Sequence, residues 1–170
     1  MTAYARAPFR FRPPDLPQTL VYRDRLLRDL RQRFEHRLTV LRAGAGFGKT
    51  TLLAHAVAEN LLDPLGADVW LQLVETDRQP EHLLIGLAAA LATPGRVADN
   101  QVTQPTIEDI VDLIWARAPE HVALVLDDLH VVDGSPAIVV VAELCTQLPA
   151  NAHLVLGTRT TPAIPIRLLQ

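Results

Sequence analysis

Short apolar runs alternate along this chain with longer segments in which apolar residues recur at every third or fourth position. The runs predict strands that are buried on both faces of a parallel sheet, and the recurrences predict amphipathic helices that cover it. The predicted strands are residues 38–41, 69–74, 122–128 and 153–157. We therefore expect a three-layer α/β/α fold with a mostly parallel sheet.

The predicted helices lie between and before these strands, at residues 23–35, 49–60, 83–91, 107–114 and 135–148. Thr106, with Asp109 three residues later, is a good N-cap for the fourth. The second has the apolar stripe Leu53, Ala56, Val57 and Leu61. The last contains the β-branched run 138–141, which locally favours a strand, but a crossover is needed before the next parallel strand, so we predict a helix.

Two stretches have no such periodicity. Residues 1–20 contain several prolines and arginines, and we expect an extended lead-in to a core that covers residues 21–170. Residues 96–104 are predicted to form a surface loop. The arginines of the first helix alternate with Asp24, Asp29 and Glu35, which favours a solvated helix face over a DNA-binding one.

The loop between the first strand and the second helix has the order of a phosphate-binding loop: Ala43-Gly44-Ala45-Gly46-Phe47-Gly48-Lys49-Thr50-Thr51. Glycines leave backbone N–H groups free to converge on an anion. Lys49, the only lysine of the chain, would reach the β- and γ-phosphates of a nucleotide, and the Thr50 hydroxyl would bind Mg²⁺. Ala43 replaces the first glycine of the consensus, a mild change because Gly46 and Gly48 still supply the turn.

Two carboxylates, Asp127 and Asp128, end the strand over residues 122–128. Ligands of open α/β sheets lie outside the carboxyl ends of the strands, so these acids should face the same crevice as the phosphate-binding loop. Asp127 would hold Mg²⁺ as a Walker B residue, and Asp128 would orient or deprotonate the attacking water.

Arg159 follows the strand over residues 153–157, at the same edge of the predicted sheet. A guanidinium at this position could bind a terminal phosphate and so report whether it is present. We therefore interpret Arg159 as a γ-phosphate sensor.

Composition limits the other possibilities. The chain has 49% hydrophobic residues and a net charge of −3, which gives no general attraction to nucleic acid or to an anionic membrane. It has no apolar run of membrane-spanning length and no apolar signal-peptide core, and we expect a cytoplasmic protein without a membrane partner. The single cysteine, Cys145, lies in an apolar stretch and is predicted to fill the core.

A family resemblance rests on four segments that occur in the order seen in STAND NTPases. They are the loop 43–51, the strand of Trp70 with its acidic exit, Leu126-Asp127-Asp128-Leu129-His130, and residues 153–159 followed by Pro162. More narrowly, they resemble the ATPase domain of large LuxR-type transcriptional regulators related to the bacterial maltose-regulon activator. In addition, Val21-Tyr22-Arg23 is similar to the segment that helps to hold adenine in that family.

The resemblance implies that the chain binds ATP or ADP with Mg²⁺ and hydrolyses ATP slowly. It assigns nucleotide binding to Gly44, Ala45, Gly46, Phe47, Gly48, Lys49, Thr50, Thr51, Val21 and Arg23, metal binding to Thr50 and Asp127, and catalysis to Asp128, Lys49 and Arg159. Family members act as switches: ADP holds a closed monomer, and ATP with an inducer allows self-association and DNA binding.

The chain stops soon after the predicted sensor strand, so we expect a fragment without the last strand, lid, inducer-binding or DNA-binding domains of the family. DNA would be a partner only through such domains, and the inducer is unknown. In the strand order of the family, 5-1-4-3-2, the first strand would then be a sheet edge. Apolar edges pair readily, which predicts self-association.

Two alternatives remain open at this point. The chain could be a nucleotide-dependent interaction module that does not hydrolyse ATP. It could also be a small-molecule kinase with the same loop, although a further predicted strand separates Lys49 from Asp127 and no arginine-rich lid is present.

Overall fold

Four strands form one all-parallel sheet with the order β1-β4-β3-β2. The structure is a computed structural model, and it describes residues 8–92 and 104–164. The strands are β1 (Leu38–Arg42), β2 (Ala67–Gln72), β3 (Val122–Asp127) and β4 (Ala152–Thr158). Each lies where the sequence predicts a strand. However, β2 begins and ends two residues early, because Ala67 and Asp68 already pair with the first residues of β3.

Helices cover both faces of the sheet. They are α1 (Asp24–Arg31), α2 (Lys49–Leu62), α3 (Pro80–Leu91), α4 (Ile107–Trp115) and α5 (Ala137–Gln147). On one face, α1 and α2 share a cluster of buried side chains with Trp70, Val125 and Val155. On the other face, α3, α4 and α5 pack against Leu71, Leu124 and further strand residues. The predicted three-layer α/β/α fold is therefore confirmed.

The β-branched run 138–141 lies in α5, so tertiary packing overrides its local preference for a strand. Val140, Val141, Leu144 and Leu148 are all buried, as the helical stripe predicts. In α4, the predicted N-cap is also present: the Thr106 side chain accepts a hydrogen bond from the backbone N–H of Asp109. Cys145 lies in α5 and is buried in the protein core, and this burial raises the pKa of its thiol to about 11.

Three details of the sequence interpretation are wrong. Leu61, assigned to the apolar stripe of α2, is 75% exposed, because α2 continues past its contact with the sheet to Leu62. Arg33, assigned to a solvated helix face, is buried and lies 2.6 Å from the Asp68 carboxylate. In the lead-in, residues Pro8–Phe11 form a 3-10 turn instead of extended chain.

The 3-10 turn is anchored by a buried ion pair that sequence reasoning did not find. The Arg10 guanidinium lies 2.6 Å from the carboxylate of Asp77, which is fully buried after the end of β2. Asp77 also accepts the backbone N–H of Val74, so this acid shapes the exit of β2. Except for Gln104, the predicted surface loop over residues 96–104 lies outside the described residues.

Candidate functional site

The phosphate-binding loop joins β1 to α2 at the carboxyl edge of the sheet. Gly46 and Gly48 have φ angles of 76° and 73°, in the left-handed region that glycine adopts without strain. The residues from Gly44 to Phe47 are exposed, so the backbone between β1 and α2 faces solvent. The sequence prediction that these glycines form a tight turn before a helix N-terminus is therefore confirmed.

Lys49 lies in the first turn of α2 with its side chain folded over this loop. Its Nζ donates to the backbone oxygens of Ala43, at 2.8 Å, and Gly44, at 3.0 Å. The side chain is almost buried, with 7% of the residue exposed. Because an ammonium group has three donors, this arrangement leaves one N–H for an anion in the loop.

Thr50 and Asp127 connect the loop to the end of β3. The Thr50 hydroxyl donates to Oδ2 of Asp127 across 2.6 Å, and Asp127 is fully buried. Within the described residues, Oδ1 of Asp127 has no hydrogen-bond partner. Burial raises the pKa of Asp127, and the Asp128 charge adds to this, whereas the Thr50 hydrogen bond lowers it.

A buried carboxylate oxygen without a partner, beside a threonine hydroxyl, is a donor set that fits Mg²⁺. This ion is commonly held by one or two protein oxygens together with the phosphates of its substrate. The neighbouring Gly157 keeps this position open, since a Cβ atom there would lie 2.6 Å from Oδ1 of Asp127. The part of the chain that the structure describes contains no group of three or more His, Cys, Asp or Glu that could hold a metal by itself.

Asp128 follows Asp127 in a left-handed backbone conformation, with φ of 59°. Its Oδ2 accepts a hydrogen bond of 3.3 Å from the side-chain amide of Gln72, at the end of β2. Nδ1 of His130 lies 3.8 Å from Oδ1 of Asp128 and makes no hydrogen bond to the described residues. Asp128 is thus at the crevice, as predicted, but Gln72 is a partner that sequence reasoning missed. Its position opposite Asp127 in the β2–β3 register could have indicated it.

Arg159 lies directly after β4, and the end of β4 contacts the first residue of the phosphate-binding loop. Thr158 pairs with Arg42 of β1, and its carbonyl accepts the backbone N–H of Ala43 at 3.2 Å. The Arg159 side chain is exposed and makes no hydrogen bond or ion pair with the described residues. The sheet thus brings Arg159 to the same edge as Lys49 and Asp127.

The segment before α1 closes one side of the site around a cavity of about 150 Å³. Val21 and Arg23 line it together with residues of the loop and of α2: Gly48, Thr51, Leu52 and His55. The Arg23 guanidinium donates to the Phe47 carbonyl at 3.1 Å, which ties this segment to the loop. The predicted adenine-binding residues therefore lie beside the predicted phosphate-binding residues.

Sequence reasoning also missed His55, which is buried in the wall of this cavity. Its ring meets Tyr22 edge-on, with the two centroids 4.9 Å apart, and its Nε2 lies 3.7 Å from Glu59. The available signal was its spacing, because residues four apart on a helix share a face and His55 follows Thr51 by one turn.

The chain is similar in sequence to curated transcriptional regulators. No model of a known protein family matches the chain. The HTH-type transcriptional regulator MalT of Yersinia enterocolitica is 31% identical over 169 residues, which are 94% of this chain and 18% of that regulator. MalT of Serratia proteamaculans is also 31% identical, with the same coverage. The chain thus spans 18% of the length of these curated relatives.

Two solved structures have a similar fold. The Aeropyrum pernix ORC1 protein in complex with DNA matches with a TM-score of 0.57 and 18% identity, over 85% of this chain and 40% of that one. Drosophila ORC bound to DNA matches with a TM-score of 0.56 and 17% identity, over 99% of this chain and 46% of that one. At these identities the likeness establishes the fold alone. No helix in the described residues is long and apolar enough to span a membrane.

Proposed function

This chain belongs to the family of MalT-type P-loop regulators, and from that premise we propose that it is the ATP-binding switch module of a signal-transducing transcriptional regulator. The observation that carries the proposal is the convergence of Lys49, Thr50 and Asp127 at one edge of the sheet. An ammonium with a free donor lies there beside a hydroxyl and a buried carboxylate with an unpartnered oxygen. These groups match what the phosphates of a nucleotide and a bound Mg²⁺ require.

Each residue of the site has a separate task in this proposal. The loop N–H groups and Lys49 bind the β- and γ-phosphates, and Thr50 with Asp127 holds Mg²⁺, which would offset phosphate charge when bound. Asp128 orients the attacking water, and Arg159 detects the terminal phosphate. Val21 and Arg23 contact the adenine. Hydrolysis of this kind depends mainly on positioning, so turnover by the chain is expected to be slow.

Binding without hydrolysis is the second candidate, and the Gln72–Asp128 hydrogen bond favours it. A carboxylate that accepts a hydrogen bond from Gln72 has one acceptor site fewer for a water molecule. Phosphate release, measured beside nucleotide binding, separates the two candidates.

The experiment that tests the proposal is calorimetry of ATP and ADP binding with and without Mg²⁺. We expect Lys49→Ala to weaken ATP binding by about tenfold or more, the equivalent of a lost charge-assisted hydrogen bond. Arg28→Ala on the exposed face of α1 is the matched control, since it removes the same charge away from the site. Thr50→Val should remove most of the Mg²⁺ dependence.

A folded wild-type chain that binds neither nucleotide would contradict the proposal. Equal binding by the wild type and by Lys49→Ala would contradict the assigned site. Control of transcription, recognition of an inducer and binding of DNA are proposed for a longer protein of which this chain is one segment, as the length of its relatives supports.

A further inference from the structure

The short loop that carries Arg159 is fixed by side chains on both of its sides. Thr158 is fully buried, and its Oγ1 accepts the backbone N–H of Thr160 at 3.3 Å, so the chain turns directly at Arg159. The Thr160 hydroxyl then donates to Oδ2 of Asp133. On the other side, the Arg42 guanidinium donates to the hydroxyl of Thr161.

These contacts are made by residues at or after the ends of β1 and β3, the two strands that flank β4. Arg42 is the last residue of β1, and Asp133 follows β3 after the 3-10 turn Leu129–Val131. Because β4 lies between β1 and β3, the loop is held from both of its neighbours. Arg159 is the exposed residue between the two held positions, Thr158 and Thr160.

Asp133 contacts this loop through one carboxylate oxygen. Its Oδ2 accepts the hydrogen bond from Thr160, whereas its Oδ1 is buried and has no hydrogen-bond partner within the described residues. The contact therefore fixes Thr160, the residue next to Arg159, at the edge of the phosphate site.

We propose that Asp133 and Thr160 are positioning residues for Arg159: their contact fixes the backbone that carries Arg159 at the edge of the phosphate site and thereby sets the preference for ATP over ADP. The inference rests on the proposed nucleotide-binding function and deepens it. Asp133 touches no nucleotide and acts through Thr160. An arginine on a fixed backbone binds a phosphate more tightly than one on a mobile loop, because less conformational freedom is lost on binding.

The test compares the dissociation constants of ATP and ADP, with Mg²⁺, for the 170-residue chain and its variants. Thr160→Val removes the hydroxyl and keeps the branched shape. We expect it to weaken ATP binding by roughly two- to tenfold, the range of one hydrogen bond, and to leave ADP binding unchanged. Thr160→Ser keeps the hydroxyl and should keep the preference for ATP. Arg159→Ala should abolish the preference, and Thr160→Val should then have no further effect.

The outcomes separate this inference from the function on which it rests. A wild-type chain that binds no nucleotide overturns both. If Arg159→Ala lowers the preference for ATP and Thr160→Val does not, only the inference is overturned. Equal weakening of ATP and ADP by Thr160→Val would also overturn it, because that is the result of a purely structural role. Thermal melting checks that each variant folds, and Asp133→Ala, which removes the acceptor of the same contact, replaces Thr160→Val if that variant does not.

Discussion

Replacement of Gly157 by alanine should damage both the stability of the fold and the metal site. Gly157 lies in β4 beside the carboxylate of Asp127. An added Cβ atom would lie 2.6 Å from Oδ1 of Asp127 and 2.9 Å from Cδ1 of Leu53. Neither neighbour can simply move away, since Leu53 and Asp127 are both buried. The methyl group must therefore displace the carboxylate, the leucine or the strand itself.

The magnitude follows from two opposing effects. Overpacking of a core costs about 1–3 kcal/mol. The change from glycine to alanine returns about 0.5–1 kcal/mol, because glycine loses more conformational freedom in a strand. We expect a net loss of about 1–2 kcal/mol, which lowers the melting temperature of a domain of this size by roughly 2–8 °C. A displaced Asp127 carboxylate should also weaken the Mg²⁺-dependent part of ATP binding.

Differential scanning calorimetry and ATP titrations with and without Mg²⁺ measure the two effects. Gly44→Ala is the matched control for the melting experiment alone, because its added methyl group would meet only the exposed ring of Phe47, at 3.3 Å, but it lies in the proposed nucleotide-binding loop. This control should melt close to the wild-type temperature. If Gly157→Ala melts like the wild type and keeps the same Mg²⁺ dependence, the account of the crowded carboxylate is refuted.

Three further predictions concern pH, turnover and association. Burial lowers the pKa of His153, whose Nδ1 donates to the His36 carbonyl at 2.9 Å and whose Nε2 accepts from Nδ1 of His121 at 2.8 Å. Because the pKa of His153 is lower in the folded state, the unfolded chain takes up a proton at His153 first as the pH falls below the unfolded value of 6.5. The folded state therefore loses stability below that pH. The free energy of unfolding in urea should therefore be lower at pH 5.5 than at pH 7.5, and this difference should be smaller in His153→Asn than in the wild type. An identical difference in the two proteins would exclude His153 as its source. Gln72→Ala should remove the hydrogen bond to Asp128 and raise the rate of phosphate release by roughly two- to tenfold, with unchanged nucleotide affinity. An unchanged rate would mean that Gln72 does not restrain Asp128. Finally, β1 pairs only with β4 in the described residues, so its other edge is free to pair with a second chain. We expect self-association that increases with concentration in size-exclusion chromatography. A monodisperse monomer at high concentration would contradict this prediction.

Most of the fold could be read from the sequence because its signals are local. A run such as residues 122–126 is uniformly apolar, and each of its residues is buried in β3. The phosphate-binding loop needs only glycines at turn positions before a helix, and Gly46 and Gly48 adopt the positive φ angles that this requires. Thr106 and Asp109 form a cap that depends on four consecutive residues.

Errors arose where a distant partner decides the outcome. Arg33 looks like a solvated residue until the fold places Asp68 beside it, and the sequence gives no sign that Arg10 pairs with Asp77. By contrast, α5 is the helix that the sequence predicts, because its apolar stripe and the need for a crossover outweigh the strand propensity of residues 138–141.

The sequence by itself determined the strands, the helices, the loop around Lys49 and the acids that end β3, because these features depend on residue type and short spacing. Only the tertiary structure decided which side chains meet. It brought Gln72 to Asp128 and Thr160 to Asp133, since each pair comes from segments that are far apart in the chain and are joined only by the strand order of the sheet. Residue spacing in the sequence does not indicate these contacts, because they form only when the parallel strands bring their carboxyl ends to one edge of the sheet.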